Sequence, residues 1–392
     1  MYGELAYIRM RSVLILGCGT QGLIMAKDIK KAGYRVVLIG ERHNYADSSR
    51  YVDIYIAPKN PPSTKEYLEL VLNAIQQYKV ETIVPMGDVL SEFLSSNKKV
   101  LNQYVKYLMP DIDTWQNAVN KSGLMKVCKE KGYPVPLTFT TEEELMAAAK
   151  ENVPFPLLIK PNITCGARGM TLVNSYEELM EKYLAIRNEF GDCHFQQYVK
   201  QGGAQVEVQL FVDENKNLVN SSVIYKYRWY PEKGGSSCCA KSVKNDKIVN
   251  ILYHLLLDLN WVGFADFDTI EDPDTGELLI MELNPRVPAC VKCAIEAGIH
   301  WGEIIVNGYL NQPQKDYSYK EGEFLRHLGF ETLWFIKSPN KFNTTPNWFL
   351  FFGNHIHYQD MSDWTDPKPF FGGTIRNLRK VLSHNEKEKI KR

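Results

Sequence analysis

Short apolar runs alternate with amphipathic stretches over the first 113 residues of the chain. Residues 13–16 and 36–39 are apolar runs of strand length, and the segment 21–32 between them has helical spacing. Further strands are predicted at 53–56 and 82–85, and further helices at 64–78 and 89–108. This alternation of strand and helix predicts an open parallel sheet at the N-terminal end of the chain.

The pattern changes to a mixed arrangement of helices and strands after this first region. Helices are predicted at 120–131, 175–190 and 246–259. Strands are predicted at 157–161, 170–174, 205–212, 218–227, 263–270 and 278–284. Ser175 and Glu178 have the spacing of a capping box at the start of the second of these helices. No internal repeat is apparent.

The balance of charged residues and the length of the apolar runs argue against two classes of binding partner. The chain has 392 residues, and its 46 Lys and Arg residues balance its 46 Asp and Glu residues. Without a net charge the chain as a whole is attracted neither to nucleic acid nor to an anionic membrane, so any anion site must be local. Apolar runs such as 348–352 are far shorter than the roughly 20 residues that span a bilayer. We therefore expect no nucleic-acid partner and no membrane span.

Eight cysteines occur in a chain without a recognisable secretory signal, which is typical of a reduced, intracellular protein. Cys290 and Cys293 have zinc-ligand spacing, but no second Cys or His pair lies near them in the sequence. The sequence therefore predicts a cytoplasmic location and gives little support to a zinc site.

A glycine-rich turn follows the first predicted strand. Gly17, Gly19 and Gly22 have the spacing of a dinucleotide-binding turn, and Glu41 lies near the end of the next strand, where such sites place a ribose ligand. The same glycines also serve a tight turn and close packing, with or without a substrate anion at the helix N-terminus. An NAD-dependent oxidoreductase therefore stays an alternative.

A hairpin with acidic residues is the most specific local feature. Asp266 and Asp268 lie on its first strand, Glu282 and Asn284 on its second, and residues 272–276 form the turn. A turn centred there places Asp266 directly opposite Glu282, and the period of two places all four side chains on one face. Opposed carboxylates repel, so this face calls for a cation, and oxygen ligands favour Mg²⁺ or Mn²⁺. The alternative is a solvated acidic face.

A lysine and a glycine loop supply groups for an anion. Lys160 ends an apolar strand. Its ammonium group is therefore expected to project from a rigid sheet into a cleft. The loop 165–169 follows, and Gly166 and Gly169 allow backbone N–H groups to point at a phosphate, while Arg168 adds charge. Taken alone, the loop is more typical of an ordinary connection between strands.

In this order, the segments from 13 to 309 resemble the ATP-grasp superfamily, whose members include biotin carboxylase, the carbamoyl phosphate synthetase large subunit and D-aspartate ligase. The resemblance implies an α/β fold class with an N-terminal parallel-sheet, Rossmann-like (pre-ATP-grasp) domain at 1–115. A two-lobed α+β ATP-grasp domain follows, with the small lobe at 116–195 and the large lobe, which carries the metal site, at 196–320. Residues 321–392 form an aromatic-rich C-terminal region.

The resemblance also implies roles for individual residues. The implied nucleotide-binding residues are Lys121, Lys160, Gly166, Arg168, Gly169, Gln197, Val199 and Glu207. The implied metal ligands are Asp266, Glu282 and Asn284, and the implied catalytic residues are Arg286 and Lys160. Gln197 replaces a common glutamate, although its amide oxygen can still accept a hydrogen bond. Relatives carry further phosphate or substrate cations near Lys226, Arg228 and Lys241, and the sequence does not select among these three.

The resemblance implies the cofactors ATP and Mg²⁺ or Mn²⁺. It further implies a carboxylate-amine ligase that activates a carboxylate as an acyl phosphate, joins it to an amine, and releases ADP and phosphate. Its partners are small-molecule carboxylate and amine substrates, and a homodimer is compatible with the family. A non-catalytic ATP-binding protein is a second alternative. The aromatic C-terminal region either lines an acceptor pocket or packs as ordinary core.

Overall fold

The computed structural model describes residues 11–148, 153–162, 169–200, 203–231, 236–361 and 363–373. Contacts between residues group the chain into two compact units. The first unit comprises the described residues up to Met109, Arg286–Ser318, and the described residues from Tyr358 onward. The second unit comprises Pro110–Pro285 and Tyr319–His357. Each unit combines segments that are distant in sequence, and the four-part division at 115, 195 and 320 stays a prediction.

Strands and helices are numbered along the chain. The strands are β1 (Ser12–Leu16), β2 (Arg35–Ile39), β3 (Ile54–Ile56), β4 (Val80–Pro85), β5 (Thr138–Phe139), β6 (Leu157–Pro161), β7 (Thr171–Val173), β8 (Cys193–Gln197), β9 (Gln205–Val212), β10 (Leu218–Tyr230), β11 (Ser236–Val243), β12 (Gly263–Glu271), β13 (Leu278–Asn284), β14 (Phe324–Arg326) and β15 (Ile356–Tyr358). The helices are α1 (Thr20–Lys31), α2 (Lys65–Tyr78), α3 (Asp88–Ser96), α4 (Lys98–Leu101), α5 (Ile112–Val119), α6 (Lys121–Lys131), α7 (Glu142–Ala147), α8 (Tyr176–Phe190), α9 (Asp246–Asp258), α10 (Val291–Ala297), α11 (Trp301–Tyr309) and α12 (Leu328–Lys337).

The first unit contains a four-stranded parallel sheet in the order β3-β2-β1-β4. All five residues of the central strand β1 are buried, as expected for a strand covered on both faces. The open parallel sheet predicted from the sequence is therefore confirmed.

One predicted helix is wrong in its length. The periodicity of 89–108 predicted a single helix, but the structure has α3 and α4, which end at Ser96 and Leu101. The break falls at Asn97, whose side-chain amide donates a 2.8 Å hydrogen bond to the carbonyl of Phe93. Asparagine competes for backbone hydrogen bonds in this way, which favours helix ends over helix interiors.

The second unit contains two sheets. A four-stranded sheet has the order β5-β8-β6-β7, and a larger sheet has the order β13-β12-β9-β10-β11-β14-β15. In the larger sheet β13, β12, β9 and β10 are consecutive and antiparallel, so side chains on one face of these four strands are neighbours. The predicted mixture of an N-terminal parallel sheet with α+β lobes is confirmed.

Two further features concern membrane-spanning helices and cysteines. No helix in the described ranges is both long and apolar enough to cross a bilayer. Within the same ranges no cysteine forms a disulfide, and Cys290 and Cys293 are buried.

A carboxylate in the first unit holds the start of α11. Asp28 accepts hydrogen bonds from the backbone N–H of Gly302 at 2.7 Å and from the ring of His300 at 2.8 Å. The hydrogen bond to Asp28 raises the pKa of His300 above its usual value, although partial burial opposes this. A histidine whose pKa is raised on folding stabilises the protein below its unfolded-state pKa and loses that contribution as pH rises through its folded-state pKa.

We therefore expect the stability difference between the native protein and His300→Gln to be largest near pH 5.5 and to shrink as pH approaches 8.5. Denaturant unfolding at a series of pH values measures this difference. Glutamine can still donate to Asp28, so the comparison isolates the charge. A difference that stays constant with pH would show that protonation of His300 does not stabilise the fold.

Candidate active site

The acidic hairpin forms as predicted, but with a different register. Asp266 lies opposite Asn284, and Asp268 lies opposite Glu282. The predicted pairing of Asp266 with Glu282 is therefore wrong by two residues. The pair nearest the turn is Glu271 with Leu278, and the register shifts once more between Asp268 and Thr269.

Together, the two register changes leave each side chain on the face of the hairpin where the sequence predicted it. The turn moves the pairing by one residue relative to the expected centre, which alone would set the acids opposite apolar side chains. A bulge then adds one residue, because Thr269 lies opposite Ile280 while Asp268 lies opposite Glu282, so Met281 is the additional residue. The second shift restores the alternation, and the predicted common face of Asp266, Asp268, Glu282 and Asn284 is formed.

An amide joins the two aspartates on this acidic face. Asn284 Nδ2 donates to Asp266 Oδ2 at 3.3 Å and to Asp268 Oδ2 at 3.1 Å. Asp266 is 1% exposed and Asn284 is 9% exposed, whereas the side chain of Glu282 is 35% exposed. The face therefore runs from a buried aspartate to a glutamate that solvent and ligands can reach.

Two lysines contact the acidic face. Lys226 Nζ lies 2.6 Å from Asp268 Oδ1 and 2.8 Å from Glu207 Oε2, because β10, β9 and β12 are neighbours in the sheet. Lys121 Nζ lies 3.2 Å from Glu282 Oε2. Lys121 is the first residue of α6, whose N-cap Asn120 accepts a hydrogen bond from the backbone of Gly123. The start of α6 thus places the ammonium group of Lys121 next to the hairpin.

The three cations that the sequence did not separate occupy different surroundings. Lys226 is the one that contacts the acidic face. Arg228 is 1% exposed and ion-paired with Glu331 at 2.7 Å. Lys241 lies over the ring of Tyr227, 5.4 Å from its centroid. Only Lys226 among these three is placed to act with the acids of the hairpin.

Lys160 is buried on β6. Its Nζ donates to Gln196 Oε1 at 2.9 Å, and the residue is 8% exposed. Burial lowers the pKa of Lys160 to about 8, while Glu282 opposes this shift and Lys121 adds to it. The influence of Glu282 and Lys121 indicates that the strand lysine and the acidic face share one electrostatic environment.

Three further predicted nucleotide residues, Gln197, Val199 and Glu207, lie in different surroundings. Gln197 has an exposed side chain, while its neighbour Gln196 is buried against Lys160, so sequence reasoning missed the glutamine with the internal role. Glu207 is already paired with Lys226. Val199 is half-buried at the end of the segment after β8.

The predicted phosphate-covering loop is only partly described. Gly166 and Arg168 lie outside the described residues. Gly169 has a φ of 72°, which favours glycine, and a Cβ there would lie 2.7 Å from the ring of Phe190. Glycine is therefore required at 169 for local packing as well as for backbone conformation.

Arg286 belongs to the first unit. There its Nε donates to Asp88 Oδ1 at 3.1 Å, and the ion pair has partly exposed side chains. Asp88 is the first residue of α3, where a carboxylate also favours the positive end of the helix dipole.

The donor chemistry of the acidic face fits Mg²⁺. Within the described ranges, no group of three or more His, Cys, Asp or Glu side chains is arranged to hold a metal ion. The predicted ligands are two carboxylates and one amide oxygen, from Asp266, Glu282 and Asn284. Magnesium commonly takes one or two carboxylates and completes its shell with water and phosphate oxygens, so this smaller set suffices.

The glycine turn in the first unit is explained by packing. Gly17 has a φ of 110°, and a Cβ on Gly22 would lie 2.3 Å from the carbonyl oxygen of Gly17. The side chain of Glu41 is exposed, while its carbonyl accepts from Cys18 Sγ at 3.0 Å. These contacts account for Gly17 and Gly22 without a bound dinucleotide.

Part of the chain matches a known protein family. Residues 116–297 match the family model of the carbamoyl-phosphate synthase L chain, ATP binding domain. This range contains all the described residues of the acidic face and its lysines. Residues 116–297 are thus similar to this ATP-binding domain, which confirms the resemblance to ATP-grasp proteins found in the sequence.

Individual relatives are distant. A D-aspartate ligase from Enterococcus faecium is 25% identical over 272 residues, which cover 61% of this chain and 62% of that relative's length. A biotin carboxylase–β,γ-ATP complex from Campylobacter jejuni superposes with a TM-score of 0.66 at 18% identity, covering 80% of this chain and 74% of that one. An N5-carboxyaminoimidazole synthetase from Staphylococcus aureus complexed with ADP gives a TM-score of 0.61 at 16% identity, covering 79% and 80%. These structures establish the fold.

Proposed function

We propose that the protein is a ligase that uses ATP and Mg²⁺ to activate a carboxylate as an acyl phosphate and transfers the acyl group to an amine. The carboxylate oxygen attacks the γ-phosphorus and ADP leaves; the amine then attacks the acyl carbon, and phosphate and a proton leave. The ATP-binding domain and the D-aspartate ligase relative support this reaction class.

The clustering of oxygen donors on the acidic face is the observation that carries the proposal. Its contacts join the carboxylates of Glu207, Asp268 and Glu282 to two ammonium groups, and an amide joins Asp266 to Asp268. Carboxylate and amide oxygens gathered on one face are the donors that Mg²⁺ prefers.

Asp266, Glu282 and Asn284 are the side chains that would hold the ion. Asn284 directs its Nδ2 at the aspartates in this structure, and a half-turn of the amide would present Oδ1 instead. Bound Mg²⁺ would polarise phosphate oxygens and neutralise part of their charge.

Lys160 and Lys121 are the proposed phosphate cations of the second unit. A cation about 4 Å from an anion at an effective dielectric constant near 20 contributes roughly 4 kcal/mol before desolvation is subtracted. Lys226 pairs with Asp268 and Glu207, so Glu282, whose ion pair with Lys121 is partly exposed, is the carboxylate proposed to exchange its partner for the metal ion. Arg286 is proposed to meet the transferred phosphoryl group or the substrate carboxylate.

An acyl phosphate hydrolyses unless water is excluded. Gly166, Arg168 and Gly169 are proposed to cover the phosphates and shield the intermediate. The proposed reaction needs no side-chain nucleophile. The buried thiols of the second unit agree with this, because burial raises the pKa of Cys128 to about 12 and so keeps it protonated.

A screen for substrate-dependent ADP formation tests the proposed function. Amino acids, including D-aspartate, and small carboxylates would be supplied in pools with Mg-ATP, and mass spectrometry would identify the product. We expect ADP release to rise at least about tenfold with the correct pair, together with a product mass equal to the acid plus the amine less water. ATP binding without turnover in any pool would favour a non-catalytic role, and thermal stabilisation by NADH but not by Mg-ATP would favour an oxidoreductase.

A further inference from the structure

Several large apolar side chains of the segment 336–352 in the second unit are exposed to solvent. They are Ile336, Phe342, Phe349, Leu350 and Phe352. All of them except Leu350 are more than half exposed. A single exposed apolar residue is ordinary on a protein surface, but a group of them close together is typical of a binding surface.

Ring contacts show that this group forms one surface. The ring centroids of Phe342 and Phe349 are 6.4 Å apart, and each ring lies 5.6 Å from the ring of Phe335. Phe335 is in turn stacked on Trp348, and Ile336 follows it directly on α12. The exposed apolar side chains of 336–352, together with Phe335 and Trp348, are called the aromatic surface below.

Buried arginines hold the backbone of this segment from the inside. Arg326 donates to the carbonyl of Trp348 at 2.8 Å and also to the carbonyl of Leu350. Arg228 donates to the carbonyl of Pro346 at 2.6 Å. The exposed rings therefore belong to a segment whose backbone is anchored to the core, and not to a loose end of the chain.

The aromatic surface is locally cationic, although the whole chain has no net charge. The range 332–359 contains no Asp or Glu, but it contains Lys337 and Lys341. The ammonium group of Lys341 lies 5.7 Å from the ring centroid of Phe335, and that of Lys337 lies 5.6 Å from the ring centroid of Tyr230. Apolar area and positive charge thus occur together, so a matching partner must offer apolar area and negative charge.

An anionic lipid bilayer offers both. Phenylalanine, tryptophan and leucine side chains enter the boundary between headgroups and acyl chains, while lysines extend their ammonium groups to the lipid phosphates. A second copy of the chain fits less well. A symmetric contact centred on this surface would bring Lys337 and Lys341 of the two copies together, and 332–359 has no acidic residue to pair with them.

We propose that the aromatic surface docks the protein onto an anionic lipid bilayer, with Phe349 and Phe352 entering the interface and Lys337 and Lys341 contacting lipid phosphates. The docking is peripheral, because no helix in the described parts of the chain is long and apolar enough to span a bilayer. The observations behind it are separate from the acidic face, so it does not depend on the proposed function.

Co-sedimentation of the full chain with vesicles of phosphatidylcholine, with or without phosphatidylserine, tests the docking. We expect the wild-type protein to bind the vesicles that contain phosphatidylserine, and to bind less at high salt or without the anionic lipid. The double variant Phe349→Ser, Phe352→Ser should lower the partition coefficient at least about tenfold, because two rings no longer leave water. The double variant Lys337→Gln, Lys341→Gln should lower it about fivefold for each lysine and reduce its salt dependence.

Leu184→Ser is the matched control. Leu184 is 56% exposed and Phe349 is 57% exposed, but Leu184 lies on α8, which packs against β6. This variant should bind vesicles as the wild-type protein does. Absence of wild-type binding to phosphatidylserine vesicles, or equal binding by the wild type and the double serine variant, would overturn the docking.

Self-association is the competing outcome. A concentration-dependent dimer that the double serine variant abolishes, without binding to vesicles, would assign the aromatic surface to a second copy of the chain and overturn the proposal. Sedimentation velocity of the same variants measures this. Vesicle binding is measured without nucleotide, so none of these results bears on the ligase proposal.

Discussion

Replacing Glu282 by alanine is expected to abolish Mg²⁺-dependent ADP formation while the protein stays folded. Glu282 is the most accessible carboxylate of the acidic face, and its contact with Lys121 at 3.2 Å is a partly exposed ion pair worth about 1 kcal/mol or less. Loss of one charge contact to the reacting phosphates should lower the rate at least about 100-fold. Steady-state ADP release at several Mg²⁺ concentrations, with the substrates found by screening, measures this effect.

Glu277→Ala is the matched control, because Glu277 lies exposed in the turn of the same hairpin. It should retain wild-type activity and Mg²⁺ dependence. Glu282→Gln keeps the size of the side chain but removes its charge and should resemble Glu282→Ala. Turnover of Glu282→Ala near the wild-type rate would remove Glu282 from the metal site, whatever its effect on stability.

Replacing Glu331 by alanine is expected to destabilise the second unit by about 3–5 kcal/mol, the usual cost of leaving a buried charge without its partner. Glu331 Oε1 accepts from Arg228 at 2.7 Å, and Oε2 accepts from Arg326 at 2.9 Å. All three residues are at most 1% exposed. Both arginines also donate to carbonyls of the segment 346–350, so the cluster fastens that segment to β10 and β14. Denaturant unfolding followed by tryptophan fluorescence measures the loss.

Thr332→Ala, at an exposed position next to Glu331 on α12, should change stability by less than about 0.5 kcal/mol. The triple variant Arg228→Met, Glu331→Leu, Arg326→Met removes all three charges and should recover much of the lost stability, because burial of ions is itself costly. An unfolding midpoint of Glu331→Ala equal to that of the wild type would show that the cluster does not stabilise the unit.

Local sequence patterns predicted many elements closely because their causes are local. The strands at 157–161, 205–212 and 278–284 have the predicted bounds, and the helix after Ser175 begins where its hydroxyl caps the backbone of Glu178. Elements of the C-terminal half without clear periodicity, such as α10, α11, β14 and α12, were not predicted. Their apolar residues pack against segments that are distant in the sequence, so these elements show no local hydrophobic periodicity.

The C-terminal aromatic residues illustrate the same limit. Trp348 stacks on Phe335 with ring centroids 4.0 Å apart and contacts Phe351 at 4.8 Å, which is ordinary packing. Phe352 and Trp364 are 85% and 81% exposed. Sequence alone did not distinguish the packed rings from the exposed ones, because the arginine cluster that orders this segment comes from strands about 20 to 120 residues away.

The sequence by itself determined that the carboxylates and the amide of the hairpin share a face, because alternation along a strand depends only on backbone geometry. It also determined the helix start that carries Lys121. Only the tertiary structure decided which residues lie opposite one another, that Lys226 rather than Arg228 or Lys241 reaches the acids, and that Gln196 rather than Gln197 holds Lys160. Those outcomes depend on a β-bulge and on pairing between strands far apart in the chain. A shift of one residue in the register of either pairing would change which side chains meet.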